Sequence, residues 1–147
     1  YQAICDSLGV SCPVLHHSAL NERDYGVYTG KNKWEVQKEL GEEEFLKLRR
    51  NFDHPVPEGE TLKDVYGRVV PFYKEKILKD LQENKNVIVV SSGNTLRALM
   101  KFLENKSDEE IANFELGFAD IYVFDIDKDG KITKKEIRAK DLYEGKH

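Results

Sequence analysis

Apolar residues recur along this chain with two different periods, and the switch between them marks its elements. Leu62, Val65, Val69, Tyr73, Ile77 and Leu81 follow at three- and four-residue steps, which line one face of an α-helix. Pro71 falls inside the run. It predicts a break or kink there, because proline has no N–H to donate and its ring crowds the preceding turn. Upstream, the pattern from Trp34 to Arg50 is helical in two pieces divided at Gly41. The proline-rich stretch from Asp53 to Gly59 reads as a loop. Tyr1 to Leu8 reads as the middle of an amphipathic helix with Ile4 and Leu8 on one face and Gly9 as its stop, so its start is expected upstream.

The second period belongs to strands. Val87 to Val90 is a run of four β-branched residues, the composition of a strand buried on both faces of a parallel sheet. Val10 to Leu15 predicts a short strand ending near His16 and His17. Ser91 to Asn94 reads as a strand-to-helix turn, with Thr95 to Leu103 as its helix. Ser107 and Glu110 have capping-box spacing. Ile121 to Phe124 predicts a strand, Asp127 to Gly130 a hairpin turn, and Lys131 to Thr133 the start of a return strand. Strands alternating with helices imply an α/β domain around a mainly parallel sheet. No internal repeat or second domain is visible. One domain over 1–133 and a charged, flexible tail over 134–147 are expected.

Composition narrows the classes. The 147 residues carry a net charge of −4 and no basic tract, which argues against a general nucleic-acid binder. No apolar run exceeds that of Val87–Val90, far short of a membrane span. The two cysteines, Cys5 and Cys12, fit no zinc or redox spacing and read as free thiols of a cytoplasmic protein.

Two places carry candidate chemistry. The run Leu20-Asn21-Glu22-Arg23-Asp24-Tyr25-Gly26 sets an acid, a cation and a phenol side by side, and Lys33, Arg49 and Arg50 follow. Arginine grips phosphate or carboxylate through paired donors, lysine adds a point charge, and a nearby carboxyl group can move protons. The turn Ser91-Ser92-Gly93-Asn94-Thr95 closes a strand and opens a helix, where free N–H groups can hold an anion. Gly93 would let a ligand come close to the backbone.

At these places the chain resembles the cofactor-dependent phosphoglycerate mutases of the histidine phosphatase superfamily. Residues 20–26 look like the family's L-N-E-R-x-Y-G, and Gly30-Lys31-Asn32-Lys33 is similar to G-x-N-K. Arg49-Arg50-Asn51-Phe52-Asp53 resembles R-R-S-F-D. Gly59-Glu60-Thr61-Leu62-Lys63-Asp64 resembles G-E-S-L-K-D, and Ser92-Gly93-Asn94-Thr95-Leu96-Arg97 resembles H-G-N-S-L-R. Five motifs stand in register over Tyr1 to about Ile132.

The resemblance implies a three-layer α/β/α fold with a mainly parallel sheet. It also implies interconversion of 3- and 2-phosphoglycerate through a phosphohistidine primed by 2,3-bisphosphoglycerate, with no metal. Under it Glu22 is the catalytic acid. Arg23, Tyr25, Lys33, Arg49, Arg50, Gly93 and Asn94 bind substrate, and a homo-oligomer is possible.

Three departures stand out. The 147 residues contain no Arg-His-Gly segment to supply the nucleophilic histidine, so the family's first strand and helix are expected to be lacking. Ser92 stands where the family has its second histidine. Phe118-Ala119-Asp120-Ile121 replaces the family's T-G-I-P. His16, His17, His54 and His147 read as loop, surface or terminal residues.

Three function classes follow: a mutase-type domain that is inactive or weakly active as this chain, a pseudoenzyme that binds a phospho-ligand or a protein, and a calcium module. The last rests on Asp125 to Glu136, which has the spacing of an EF-hand loop, although Ile121 to Phe124 before it favours strand over helix.

Overall fold

Side-chain caps fix where three of the α-helices begin. The computed structural model describes residues 2–117 and 120–138; Phe118 and Ala119, the centre of one departure from the family pattern, and the tail beyond Arg138 with His147, lie outside them. Helix α1 spans Gln2–Leu8 and ends at Gly9. Helix α2 (Lys33–Leu40) starts on Asn32, whose side chain accepts the Trp34 N–H, and Gly41 joins it to α3 (Glu42–Arg50). Helix α4 (Leu62–Phe72) opens with a reciprocal capping box between Thr61 and Asp64. The missing N–H of Pro71 breaks the regular ladder, and the chain answers with one π turn over Tyr73–Ile77 before α5 (Leu78–Gln82). Helix α6 covers Gly93–Leu103, and α7 (Asp108–Ala112) begins on the Ser107–Glu110 capping box.

The core is the seam between α4 and α6. Leu62, Val65, Val69, Phe72, Tyr73 and Ile77 pack against Ala98, Leu99 and Ile111, with Ala19 closing one end. Phe52, Tyr66, Phe102 and Tyr73 add edge and tilted ring contacts at 5.5 to 6.4 Å between centroids. The apolar period read from α4 therefore faces inward as expected, and Leu81 is partly buried.

The chain is mixed helix and sheet. Among the described residues the sheet is one antiparallel pair, β1 (Ile121–Ile126) with β2 (Ile132–Arg138). Here the structure corrects two readings. Neither Val10–Leu15 nor Val87–Val90 forms a strand ladder. Ile88 and Val90 are 65% and 56% exposed, while Val87 and Val89 pack on the core. One face is covered instead of two. A strand exists only through hydrogen bonds to a neighbour, and among the described residues no segment forms a ladder with either of these two.

The hairpin also replaces the EF-hand reading. Asp125 to Glu136 lies in two strands and a turn, because β-branched and aromatic residues flank the acidic run. The Asp127 carboxylate accepts the N–H groups of Asp129 and Lys131 and so is used within the turn. Strand β2 runs past Thr133 to Arg138, which pairs the first part of the charged stretch expected to be a tail. No helix among the described residues is long and apolar enough to cross a membrane.

Candidate functional site

The loop that carries Glu22, Arg23 and Tyr25 is clipped from both sides. On one side it meets the loop before α4. Val27 donates to the Pro57 carbonyl at 3.1 Å, Glu60 N–H to the Asp24 carbonyl at 2.8 Å, and Asp24 N–H to Glu60 Oε2 at 3.0 Å. Gly26 has φ +53°, and a Cβ there would lie 2.0 Å from the Pro57 carbonyl oxygen, so only glycine fits. On the other side the turn before α6 and the first turn of that helix hold it: Ser91 Oγ donates to Leu20 O at 2.6 Å and Thr95 Oγ1 to Asn21 O at 2.5 Å.

Arg68 of α4 locks the same loop from below. Its guanidinium donates to the carbonyls of Ala19 and Asn21 at 2.8 and 3.0 Å, and more weakly to those of Ser18 and Glu22. Glu60 grips its other edge with both oxygens, at 2.7 and 2.9 Å. The hydrogen bonds from Arg68 hold the Glu60 carboxyl below the ordinary value of 4.5, burial opposes this, and the Asp24 N–H adds to it. A carboxylate with a depressed folded pKa stabilises the fold above its unfolded value and loses that contribution as pH falls through the folded one. The urea midpoint should therefore drop as pH falls below about 4.5. In Glu60→Gln this component should vanish. Equal acid sensitivity of both proteins would show that the clamp contributes nothing.

Two buried arginines converge beneath the loop, at the C-terminus of α3. The last four carbonyls of a helix have no partner inside it. In α3 Asn51 N–H takes the Lys47 carbonyl and Arg23 Nη2 takes that of Leu48, at 3.1 Å. Arg97 Nη1 and Nη2 take those of Arg49 and Arg50, at 3.3 and 3.1 Å. Arg97 also donates to Ile111 O at the end of α7, at 2.6 Å, and to Asn94 Oδ1 at 3.1 Å. Both guanidinium groups thus sit where helix dipoles end in negative potential. They are 3% and 6% exposed.

That capping leaves donors over. Arg23 Nε and Nη1 and Arg97 Nε are buried without a partner. The Arg23 guanidinium lies 4.4 Å over the Tyr25 ring, and the Tyr25 hydroxyl accepts from Asn94 Nδ2 at 2.9 Å. Burial first, and then the charges of Arg50, Arg23 and Arg49, push Arg97 down to about 10. The cluster repels itself, and unsatisfied N–H groups inside it are costly. An anion in reach of it would offset both.

The remaining expected site residues fall around this cluster. Arg49 and Arg50 are half-buried, with Arg49 over Phe45 at 5.6 Å and Arg50 paired with Glu115. Glu22 is exposed; its Oε1 accepts the Arg23 N–H at 2.6 Å, and it lines an open cleft of about 660 Å³ with His17, Asp24, Glu60, Arg68 and Glu75. Arg50 lines a different cleft of about 430 Å³. Ser92 is exposed at the N-cap of α6 and makes no side-chain cap bond; the space above Gly93 is open. Lys33 is exposed, with its ammonium 4.7 Å over Trp34. The structure thus brings Arg23, Tyr25 and Asn94 together with the arginines of α3. Glu22 touches this group only through its carboxylate on the Arg23 N–H, and no side-chain hydrogen bond among the described residues joins Ser92 or Lys33 to it. Arg97 was not among the expected site residues, although it ends the Ser92-to-Arg97 motif. Of the histidines, His17 Nδ1 accepts the Ala19 N–H and stacks on Phe72, and His54 pairs with Glu44. No group of three His, Cys, Asp or Glu among the described residues is placed to hold a metal ion.

Comparison with known proteins bears on this geometry. Residues 1–137 match the sequence profile described as "Histidine phosphatase superfamily (branch 1)". The 2,3-bisphosphoglycerate-dependent phosphoglycerate mutase of Cytophaga hutchinsonii is 42% identical over 113 residues, 77% of this chain and 53% of that protein. The protein of the same name from Methanosarcina acetivorans is 46% identical over 114 residues, 76% of this chain and 46% of that protein. The one from Mesorhizobium japonicum is 39% identical over 137 residues, 92% and 66% of the two chains. The chain spans about half the length of the first two relatives.

Proposed function

The chain belongs to the histidine phosphatase superfamily, branch 1, as a phosphoglycerate mutase-type domain, and we propose from this that it supplies the cationic half of a phosphoglycerate site. The observation that carries the proposal is the pair of buried arginines with donors to spare. In this reading Arg23, Arg49 and Arg50 hold phosphate and carboxylate oxygens, with Tyr25, Asn94 and Gly93 shaping the wall and Lys33 adding charge from α2. Glu22 moves the proton of the substrate hydroxyl. Phosphoryl transfer needs little else from a protein than positioning and charge stabilisation.

2,3-Bisphosphoglycerate fits the same residues, since it carries the phosphate and carboxylate groups they are suited to grip; when bound it supplies the phosphoryl group. The nucleophilic histidine is not among these 147 residues. It would come with a family R-H-G segment whose strand lies beside Val87–Val90. That strand would complete a three-layer domain with a parallel sheet and cover the exposed side chains of Ile88 and Val90. Residues 1–133 and the paired part of β2 then form one unit.

Ser92 favours a second reading, a domain that binds the phospho-ligand without turning it over. A serine hydroxyl donates one hydrogen bond and carries no charge, so it cannot match an imidazolium at a developing phosphoryl charge.

Binding separates both readings from a purely structural role for the arginines. Calorimetric titration with 3-phosphoglycerate should give saturable binding, and the ligand should raise the melting temperature. Arg23→Gln keeps a donor for Leu48 O but loses the charge and should weaken binding by about tenfold or more. An unaltered affinity in that variant, or no heat at millimolar ligand, would rule the site out.

A further inference from the structure

Cys5 and Cys12 lie seven residues apart in sequence and in contact in space. Their sulfurs are 3.1 Å apart, and either thiol can donate to the other. The closeness comes from how α1 stops. Gly9 takes the left-handed conformation, φ +63°. The Val10 N–H then reaches back to the Cys5 carbonyl at 3.1 Å and the Gly9 N–H to that of Asp6 at 3.3 Å. Those two bonds are the Schellman closure of a helix, which turns the outgoing chain back over the last helical turn. Pro13 prevents the helix from resuming. The reversal delivers Cys12 onto Cys5. Both cysteines are free; Cys5 is buried and Cys12 exposed.

We propose that Cys5 and Cys12 form an oxidisable dithiol, which a low-molecular-weight disulfide converts to an intrachain disulfide. The exposed thiol reacts first. The Cys12 thiolate, its proton gone to solvent, attacks one sulfur of the small disulfide. A mixed disulfide forms, and the other half leaves as a thiolate that picks up a proton. The Cys5 thiolate then attacks the Cys12 sulfur, the Cys5–Cys12 bond forms, and the second small thiol leaves. Two protein thiols have lost two protons and two electrons, and the small disulfide has become two thiols.

Proximity drives the second step. A resolving sulfur held at contact distance acts at a high effective concentration, so the mixed disulfide is short-lived. The sulfurs must close by about 1 Å to reach bonding distance, which a rotamer adjustment at the exposed Cys12 can provide. The hydrogen bond shared with Cys5, in which the protonated Cys12 thiol donates, and then partial desolvation hold the Cys12 thiol above its ordinary value of 9.0. Little thiolate is therefore present at neutral pH, and the pair should respond to the thiol–disulfide balance slowly, with a rate that rises with pH. Oxidation ties the end of α1 to the segment that runs through His17, which caps the turn before the Glu22 loop.

Oxidation by glutathione disulfide, followed by alkylation and tryptic mapping, tests the pair. No lysine or arginine precedes Arg23, so one peptide ending at Arg23 holds both cysteines. It should lose two hydrogen masses, resist alkylation, and revert with dithiothreitol. In Cys5→Ser the glutathione adduct on Cys12 should persist, and in Cys12→Ser the buried Cys5 should stay largely unmodified. The ratio of intrachain disulfide to mixed disulfide should be at least about tenfold higher in the folded protein than in concentrated urea. Glutathione on both cysteines, a persistent adduct on Cys12 of the unaltered chain, a Cys12-linked dimer, or equal ratios with and without urea would each overturn the proposal.

Discussion

Arg97→Met is expected to destabilise the chain by about 3 kcal/mol and to remove phosphoglycerate binding with it. Arg97 gives hydrogen bonds to the carbonyls of Arg49, Arg50 and Ile111 and to Asn94 Oδ1. Methionine fills similar space and offers no donor. Buried acceptors left unpaired cost roughly 1–3 kcal/mol each. Part of that is offset, because removing one cation relieves the repulsion among Arg23, Arg49, Arg50 and Arg97 recorded in the lowered pKa of Arg97. The urea midpoint should fall at unchanged slope, which marks a loss of stability rather than a change in the unfolded chain. Arg97→Lys keeps the charge but not the fork of donors and should lie between the two. Binding should be lost in the methionine variant even where it remains folded, because the backbone at 49–50 is no longer held. A variant as stable as the parent, with intact binding, would mean that the α3 terminus is secured by other groups.

Ser92→His is expected to raise phosphoryl transfer by on the order of a hundred- to a thousandfold when the chain is joined to a family R-H-G segment. The fold should tolerate the change, since Ser92 is exposed and makes no cap bond. The gain should appear in kcat and little in KM, because a charge placed on the developing phosphoryl group acts in the transition state and not in the ground state. A coupled assay of 2-phosphoglycerate formation measures both. Full turnover with serine retained would refute the role assigned to this position. No turnover with histidine, against preserved ligand binding, would favour the binding-only reading.

The helices were legible because what specifies them is local. The stripe from Leu62 to Ile77, the capping box at Ser107 and the joint at Gly41 each depend on residues within a turn or two of one another. Val87–Val90 was misread for the opposite reason. Its composition suits a strand covered on both faces, but a ladder and a second cover must come from elsewhere in the fold. Arg97 escaped notice because an arginine on an amphipathic helix resembles a solvated residue. The available signal was its place between Thr95 and Ala98, both buried.

What the sequence settled alone was family and inventory: the motifs from Leu20 to Arg97 hold their order whatever the chain does in space. What only the tertiary structure decided was which of those residues meet. Arg23 and Arg97 converge because α3 ends with three carbonyls, those of Leu48, Arg49 and Arg50, that donors from distant segments fill. Hydrogen bonds of that kind join residues 14 to 48 positions apart, and nothing in the local pattern of either partner records them.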